Sequence, residues 1–252
     1  MSFEILAWLL PTFFIAGWID AIAGGGGLIT VPALLTMGIA PHTVLGTNKL
    51  IGTFGTSTAA WICIKKGIFR PQFWYVMSLA TLCGALFGTL LAGVMSSEWL
   101  QKFLPLMILA AAIYVFFHHS ETIATQPIDS PQNNYKSGML GSILGFYDGF
   151  IGPGTGAFWT SATMAWYQVD IVTASGIARF MNFISNIVSL LTFSYLQHVN
   201  FSLGVGLGLT LMLGAYFGVH SALHFGAVLI RPLFIIVVIA TSTRLAWLAW
   251  LS

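Results

Sequence analysis

Residues 18–35 read WIDAIAGGGGLITVPALL. Four consecutive glycines, Gly24 to Gly27, interrupt an apolar stretch, and a lone carboxylate, Asp20, precedes them. Glycine weakens a helix interior, and a carboxylate is costly inside lipid. The reading of this stretch depends on a second copy of it. Residues 145–156 read GFYDGFIGPGTG. At a shift of 128 positions, Gly17 meets Gly145, Asp20 meets Asp148, Gly24 meets Gly152 and Gly26 meets Gly154. At a shift of 130, Lys49 meets Arg179, and GALFG (84–88) meets GAYFG (214–218). At a shift of 127, Pro105 meets Pro232. The order holds over most of each half, so the chain is read as a duplication.

Composition sets the solvent. Of 252 residues, 57% are hydrophobic and 6% charged, with a mean hydropathy of +0.89. Soluble domains carry roughly 25% charged residues, so these few charges cannot build a water-facing surface. The long apolar runs lack the strict alternation of a membrane β-barrel. The expected fold is an all-α integral membrane protein of two homologous halves. Residues 1–117 form the first transmembrane repeat, 118–137 a polar linker, and 138–252 the second repeat. Each half begins with a glycine-broken segment (5–38 and 139–167). Three membrane helices follow it: 43–64, 73–95 and 101–117 in the first half, and 171–196, 201–221 and 227–249 in the second.

Loop charges orient the halves. Lys65, Lys66 and Arg70 in KKGIFR place that loop in the cytoplasm. Its counterpart LQHVN (196–200) carries no Lys or Arg and goes outside. Arg231 and Lys136 then fall inside, and Lys102 is the exception. If each broken segment is a hairpin entering and leaving on one side, the repeats are inverted, as in many transporters. If each crosses fully, the halves are parallel. The N-terminus carries no basic region before its apolar stretch, so no cleavable signal peptide is expected.

Irregular backbone at membrane depth is tolerated only where protein covers it or a wet cavity adjoins it. Matched interruptions in two halves point to a substrate site. The helix after each break would present unpaired N–H groups and a positive dipole end, which suit an anion. The candidate anion-binding residues are Gly24, Gly25, Gly26, Gly27, Asn48, Lys49, Gly152, Gly154, Thr155, Gly156, Arg179 and Asn182. Lys49 and Arg179 are matched cations in apolar surroundings. They read as fixed charges for the anion, as side chains snorkelling to the headgroups, or as structural partners of Asp20 and Asp148. Those two carboxylates are proton carriers or structural anchors. Asn48, Asn182 and Asn186 supply neutral hydrogen bonds or interhelical contacts. The GALFG and GAYFG glycines read as close helix contacts, and Cys63 and Cys83 as small packing residues. The six histidines show no metal-ligand spacing, so neither metal nor cofactor is expected. No GK[ST] follows the glycines, which argues against a nucleotide loop.

The motifs GWIDAIAGGGGLITVPAL, PHTVLGTNKL (41–50) and GFYDGFIGPGTGAFW resemble those of the sulfite exporter TauE/SafE family, also called the toluene sulfonate uptake permease family. The resemblance implies a multi-pass transporter of the bacterial inner membrane, with a small anion and the lipid bilayer as partners and no nucleic acid. It implies sulfite, sulfonates or related organic anions as cargo, with export the expected direction. At motif positions it carries over to Asp20, Gly24 to Gly27, Asn48, Lys49, Asp148, Gly152, Gly154 and Gly156. Gly27 has Thr155 as counterpart and Pro32 has Thr160, so the second break is expected to be shaped differently. The expected function is a non-enzymatic secondary transporter working by alternating access. An anion channel and a membrane enzyme of sulfur metabolism are the alternatives. The sequence leaves open whether the protein is a homo-oligomer.

Overall fold

The computed structural model describes residues 3–68, 70–117 and 133–225. Among them all regular structure is helical. The first half contains α1 (Phe3–Ala23), α2 (Gly27–Leu35), α3 (Pro41–Lys65), α4 (Tyr75–Val94) and α5 (Ser97–Phe117). The second contains α6 (Asn134–Phe150), α7 (Thr155–Tyr167), α8 (Ile171–Tyr195) and α9 (Phe201–Phe225). The expected span 227–249 lies outside the described residues.

The local sequence accounts for the boundaries. α1 stops where Gly24 takes φ +74°, left-handed backbone that glycine adopts without strain. α7 starts from Gly154 at φ +83°. α3 opens on Pro41, which tolerates the first helical position because it has no N–H to leave unpaired. α8 opens on Asp170, whose side chain accepts the N–H groups of Val172 and Thr173. α6 begins at Asn134, inside the stretch expected as linker. The reason is local: the Asn133 side chain accepts the Lys136 N–H at 3.1 Å and caps the helix.

Among the described residues, four stretches are long and apolar enough to cross a membrane: Pro71–Val94, Ser97–Val115, Ile171–Tyr195 and Phe201–Ser221. α3 has 25 residues, about 37 Å at 1.5 Å per residue, but it carries polar side chains that other helices cover. The chain is a multi-pass membrane protein built with its polarity inward. Leu79, Phe87, Leu90 and Val94 of α4 and Leu213 and Phe217 of α9 are exposed, whereas Lys49, Asp148, Asn182, Ser185 and Asn186 are buried. Lipid solvates the outer face, and the ionisable groups are sheltered within the protein.

Helices from opposite halves pack most closely. α4 lies along α6, and α1 along α9. Both contacts rest on glycines, as the GALFG and GAYFG motifs led one to expect. A β-carbon on Gly88 would stand 2.1 Å from the Phe146 carbonyl oxygen, and one on Gly214 would stand 2.0 Å from that of Phe14. Lipid offers no hydrophobic drive between helices, so close backbone approach supplies the van der Waals attraction. α3 and α8 meet between these pairs and carry the central polar residues. Cys63 is buried; Cys83 is exposed on α4.

Candidate functional site

The two glycine breaks touch. The Ala157 N–H donates to the Gly24 carbonyl at 3.1 Å. A β-carbon on Gly24 would lie 2.4 Å from the Gly156 carbonyl carbon, so nothing larger fits there. Each break is held by its own half. In the first, Asp20 Oδ1 accepts the Gly26 N–H at 2.7 Å. In the second, the Tyr147 hydroxyl donates to the Pro153 carbonyl at 2.8 Å. Neither α2 nor α7 has a side chain capping it from its N-cap residue.

Both helix N-termini open onto one cavity of about 50 Å³. Gly26, Gly27 and Thr30 line it from α2, and Gly154, Thr155 and Gly156 from α7, with Gly24 and Gly152 at the breaks. Asn48, Lys49, Gly52 and Thr56 of α3 close one wall, Asn182 and Asn186 of α8 another, and Asp20, Asp148 and Leu211 complete it. Thr30 donates to Asn48 Oδ1 at 2.6 Å. Asn186 Nδ2 donates to Thr56 Oγ1 at 3.4 Å, tying α8 to α3 at the cavity floor. Buried Asn182 Oδ1 has no hydrogen-bond partner among the described residues.

The ionisable groups are arranged unequally. Lys49, 2% exposed, and Asp148, 3% exposed, form a buried ion pair at 2.7 Å. The ammonium also donates to the Asp148 carbonyl, and Ser185 donates to Asp148 Oδ2. An ammonium has three donors, so one remains. Gly152, whose β-carbon would stand 3.0 Å from Lys49 Nζ, leaves that side open. Arg179 departs from expectation. It folds back along α8 to donate to the Ser175 carbonyl at 2.6 Å and to the Ser175 hydroxyl. It is buried, its Nε has no partner, and it does not line the cavity. Gly25 does not line it either. The other ten candidate anion-binding residues do, together with both carboxylates.

The structure adds Thr30, Gly52, Thr56 and Ser185 to the candidate set, and it places Asn186, already singled out as a hydrogen-bonding residue, in the cavity lining. Helical spacing was the available signal for Ser185, which lies three residues beyond Asn182 on one face of α8. Among the described residues no group of three or more His, Cys, Asp or Glu side chains is placed to hold a metal. His42 and His198 instead stack on each other with centroids 4.8 Å apart, about two turns of α3 before Lys49.

The family model described as sulfite exporter TauE/SafE matches residues 9–245. The chain belongs to that family. A probable membrane transporter protein from Sinorhizobium is 37% identical over 97% of this chain and 94% of its own length. One from Haemophilus influenzae is 34% identical over 98% and 96%. The probable membrane transporter protein YfcA of Escherichia coli K12 is 30% identical over 96% and 90%. No solved structure matches. The family and its relatives' names are those of membrane transporters, not of enzymes. In this TauE/SafE protein the central cavity joins both halves through two helix N-termini, three asparagines and one buried ion pair.

Proposed function

We propose that this TauE/SafE protein is a secondary transporter of small sulfur-containing anions, sulfite or a short sulfonate, across the bacterial inner membrane, with export as its direction. The observation that carries this reading is the convergence of the α2 and α7 N-termini and Lys49 on one sheltered cavity. Helix N-termini bind anions through oriented N–H groups and the positive end of the dipole. Asparagines add neutral donors. The cavity's 50 Å³ corresponds to about four water-sized positions, which suits an ion the size of sulfite rather than an aromatic sulfonate.

Inverted repeats and alternating access belong to the same proposal. Two features support them. α3 and α8 have 25 residues each at a shift of 130. The α1–α9 contact also has a counterpart in the α6–α4 contact. A rocking of one half against the other would expose the shared cavity to each side in turn.

The test is ligand-induced stabilisation of purified protein. A ligand at one hundred times its dissociation constant adds about 2.7 kcal/mol to the folded state. Sulfite and methanesulfonate are expected to raise the melting temperature of the wild type and not of Asn182→Leu, which fills the cavity with an apolar side chain. No stabilisation by sulfite, thiosulfate or methanesulfonate at millimolar concentration would sink the anion reading.

A further inference from the structure

We propose that Asp20, and not Asp148, takes up a proton when the anion enters the central cavity, so that each univalent anion crosses together with one proton. The inference rests on the anion reading above and assigns its coupling. It begins with charge. The cavity lining holds two carboxylates, Asp20 and Asp148, against one ammonium, Lys49. Counting the nearby guanidinium of Arg179 on α8, the set of buried Lys49, Asp148 and Arg179 with half-buried Asp20 is neutral. An entering univalent anion then leaves one negative charge uncompensated where little water can reach it. Such a charge is strongly disfavoured unless it is paired or neutralised. One proton taken up with the anion removes the excess.

Geometry selects the site. Both oxygens of Asp148 are committed, Oδ1 to Lys49 at 2.7 Å and Oδ2 to Ser185. Protonating Asp148 would leave a buried ammonium without its counter-charge. Asp20 uses only Oδ1, which accepts the Gly26 N–H at 2.7 Å. Its second oxygen has no hydrogen-bond partner among the described residues, and the side chain lines the cavity. A proton on Oδ2 would therefore leave the cap on the first break intact and turn an acceptor facing the cavity into a donor for a substrate oxygen. The other titratable groups on the elements around Asp20 are already engaged or apart from the cavity. Lys49 on α3 and Asp148 on α6 hold each other. Arg179 on α8 holds Ser175. Cys63 is a buried thiol further along α3, Tyr167 at the end of α7 bonds to Ser137, and His220 on α9 bonds to the Tyr216 carbonyl. α2 contributes none. The proton comes from water on the entry side, sits on Asp20 Oδ2 as an O–H, and returns to water on the exit side as the anion leaves.

The experiment uses the full-length protein in liposomes containing a trapped pH dye, with labelled methanesulfonate and labelled sulfite as probes. Exchange of labelled for unlabelled probe reports anion handling alone. Uptake driven by an imposed pH gradient, with the dye signal, reports coupling. Methanesulfonate stays ionised throughout, so any proton that moves with it is carried by the protein. The wild type is expected to move one proton per methanesulfonate. In Asp20→Asn, which keeps an oxygen for the Gly26 N–H, the ratio of gradient-driven uptake to exchange should fall at least tenfold. Asp20→Glu should restore it. Exchange by the wild type without proton movement overturns the inference and leaves the anion reading standing. So does an unchanged ratio in Asp20→Asn, or restoration of uncoupled flux by Asp148→Asn instead. Absence of exchange with both probes overturns the anion reading and this inference with it. Should Asp20→Asn fail to fold, Asp20→Glu decides: a pH profile of coupling displaced from that of the wild type supports Asp20, and an unchanged profile overturns the assignment.

Discussion

Lys49 with Asp148 and Arg179 with Asp20 occupy matched places in the two halves, yet they are bonded differently. Lys49 reaches across to the other half and is locked to Asp148. Arg179 turns back along its own helix to Ser175, and Asp20 caps its own break through Gly26. The neighbours explain this. Four residues before Arg179 stands Ser175; four before Lys49 stands Leu45, which offers no hydroxyl. Lys49 thus has no local side-chain partner and takes the carboxylate across the interface. Asp148 gains a second donor from Ser185, whose counterpart at a shift of 130 is Gly55. Positions that match in sequence do not guarantee matched contacts. One charge centre here is a fixed strut, and the other is uncommitted.

The sharpest way to break this comparison is to neutralise each cation. Removing one partner of a buried ion pair leaves an uncompensated charge and costs about 3–5 kcal/mol. Lys49→Met is therefore expected to lower thermal stability in detergent severely, and Lys49→Met combined with Asp148→Leu to recover much of the loss. Arg179→Met, which breaks no ion pair, should cost far less. Equal melting temperatures for the two single variants would mean that the strut is no stronger than its counterpart.

Ser185→Ala probes the same centre more gently. A hydrogen bond to a charged group contributes about 1.5–3 kcal/mol. Ser185→Ala should show a loss in that range, whereas Gly55 in the other half has no such bond to lose. A stability unchanged within error would remove Ser185 from the strut.

The helix contacts should behave oppositely, with both halves alike. A β-carbon on Gly88 or Gly214 would meet a carbonyl oxygen of the facing helix at 2.1 or 2.0 Å, and overpacking of this kind costs about 1–3 kcal/mol. Gly88→Ala and Gly214→Ala are expected to lose similar amounts, read as shifts in melting temperature. If one is neutral, the α4–α6 and α1–α9 contacts are not equivalent.

The sequence carried the plan of the fold because the plan rests on local signals. Gly24 and Gly154 mark the helix breaks, Pro41 and Asp170 mark starts, and apolar runs of membrane length mark the spans. Its glycine pairs also announced close helix contacts on α4 and α9, though not that α6 and α1 would be the partners. The α6 start was missed by a few residues because Asn133, a polar residue in a polar stretch, acts as a cap only once the chain turns there. Most of the cavity lining was legible too, since the breaks and the TNK segment had to face one another for the repeat to make sense. The destination of each cation was not. Whether Arg179 takes Ser175 or Asp20 depends on a competition between a bond four residues away and one across the interface, and composition does not rank them. Thr30 and Thr56 escaped notice for a related reason: a threonine in an apolar helix commonly bonds its own backbone, as these two do at Gly26 and Gly52, and only the approach of Asn48 and Asn186 gives them side-chain partners as well.

The smallest effect separates the two central helices at their starts. α8 is capped by Asp170, which accepts the Val172 and Thr173 N–H groups at 2.9 and 3.0 Å and the Thr173 hydroxyl at 2.6 Å. α3 begins after Ala40, with no side-chain cap, although its backbone is also extended there. Asp170→Ala should cost about 1 kcal/mol, and Ala40→Asp should gain up to a similar amount. The Asp170 gap should also depend on pH. Partial burial raises the Asp170 carboxyl, but hydrogen bonds from Thr173 and Val172 outweigh it and hold the group below its ordinary value. A carboxylate depressed in the folded state stabilises above its unfolded pKa of about 3.9 and loses that contribution as pH falls through the folded value. The difference in melting temperature between wild type and Asp170→Ala should be full at pH 7 and shrink below about pH 4. A gap that stays constant down to pH 3 would show that the neutral carboxyl caps α8 as well as the charged one does, and that the start of α8 owes nothing to charge.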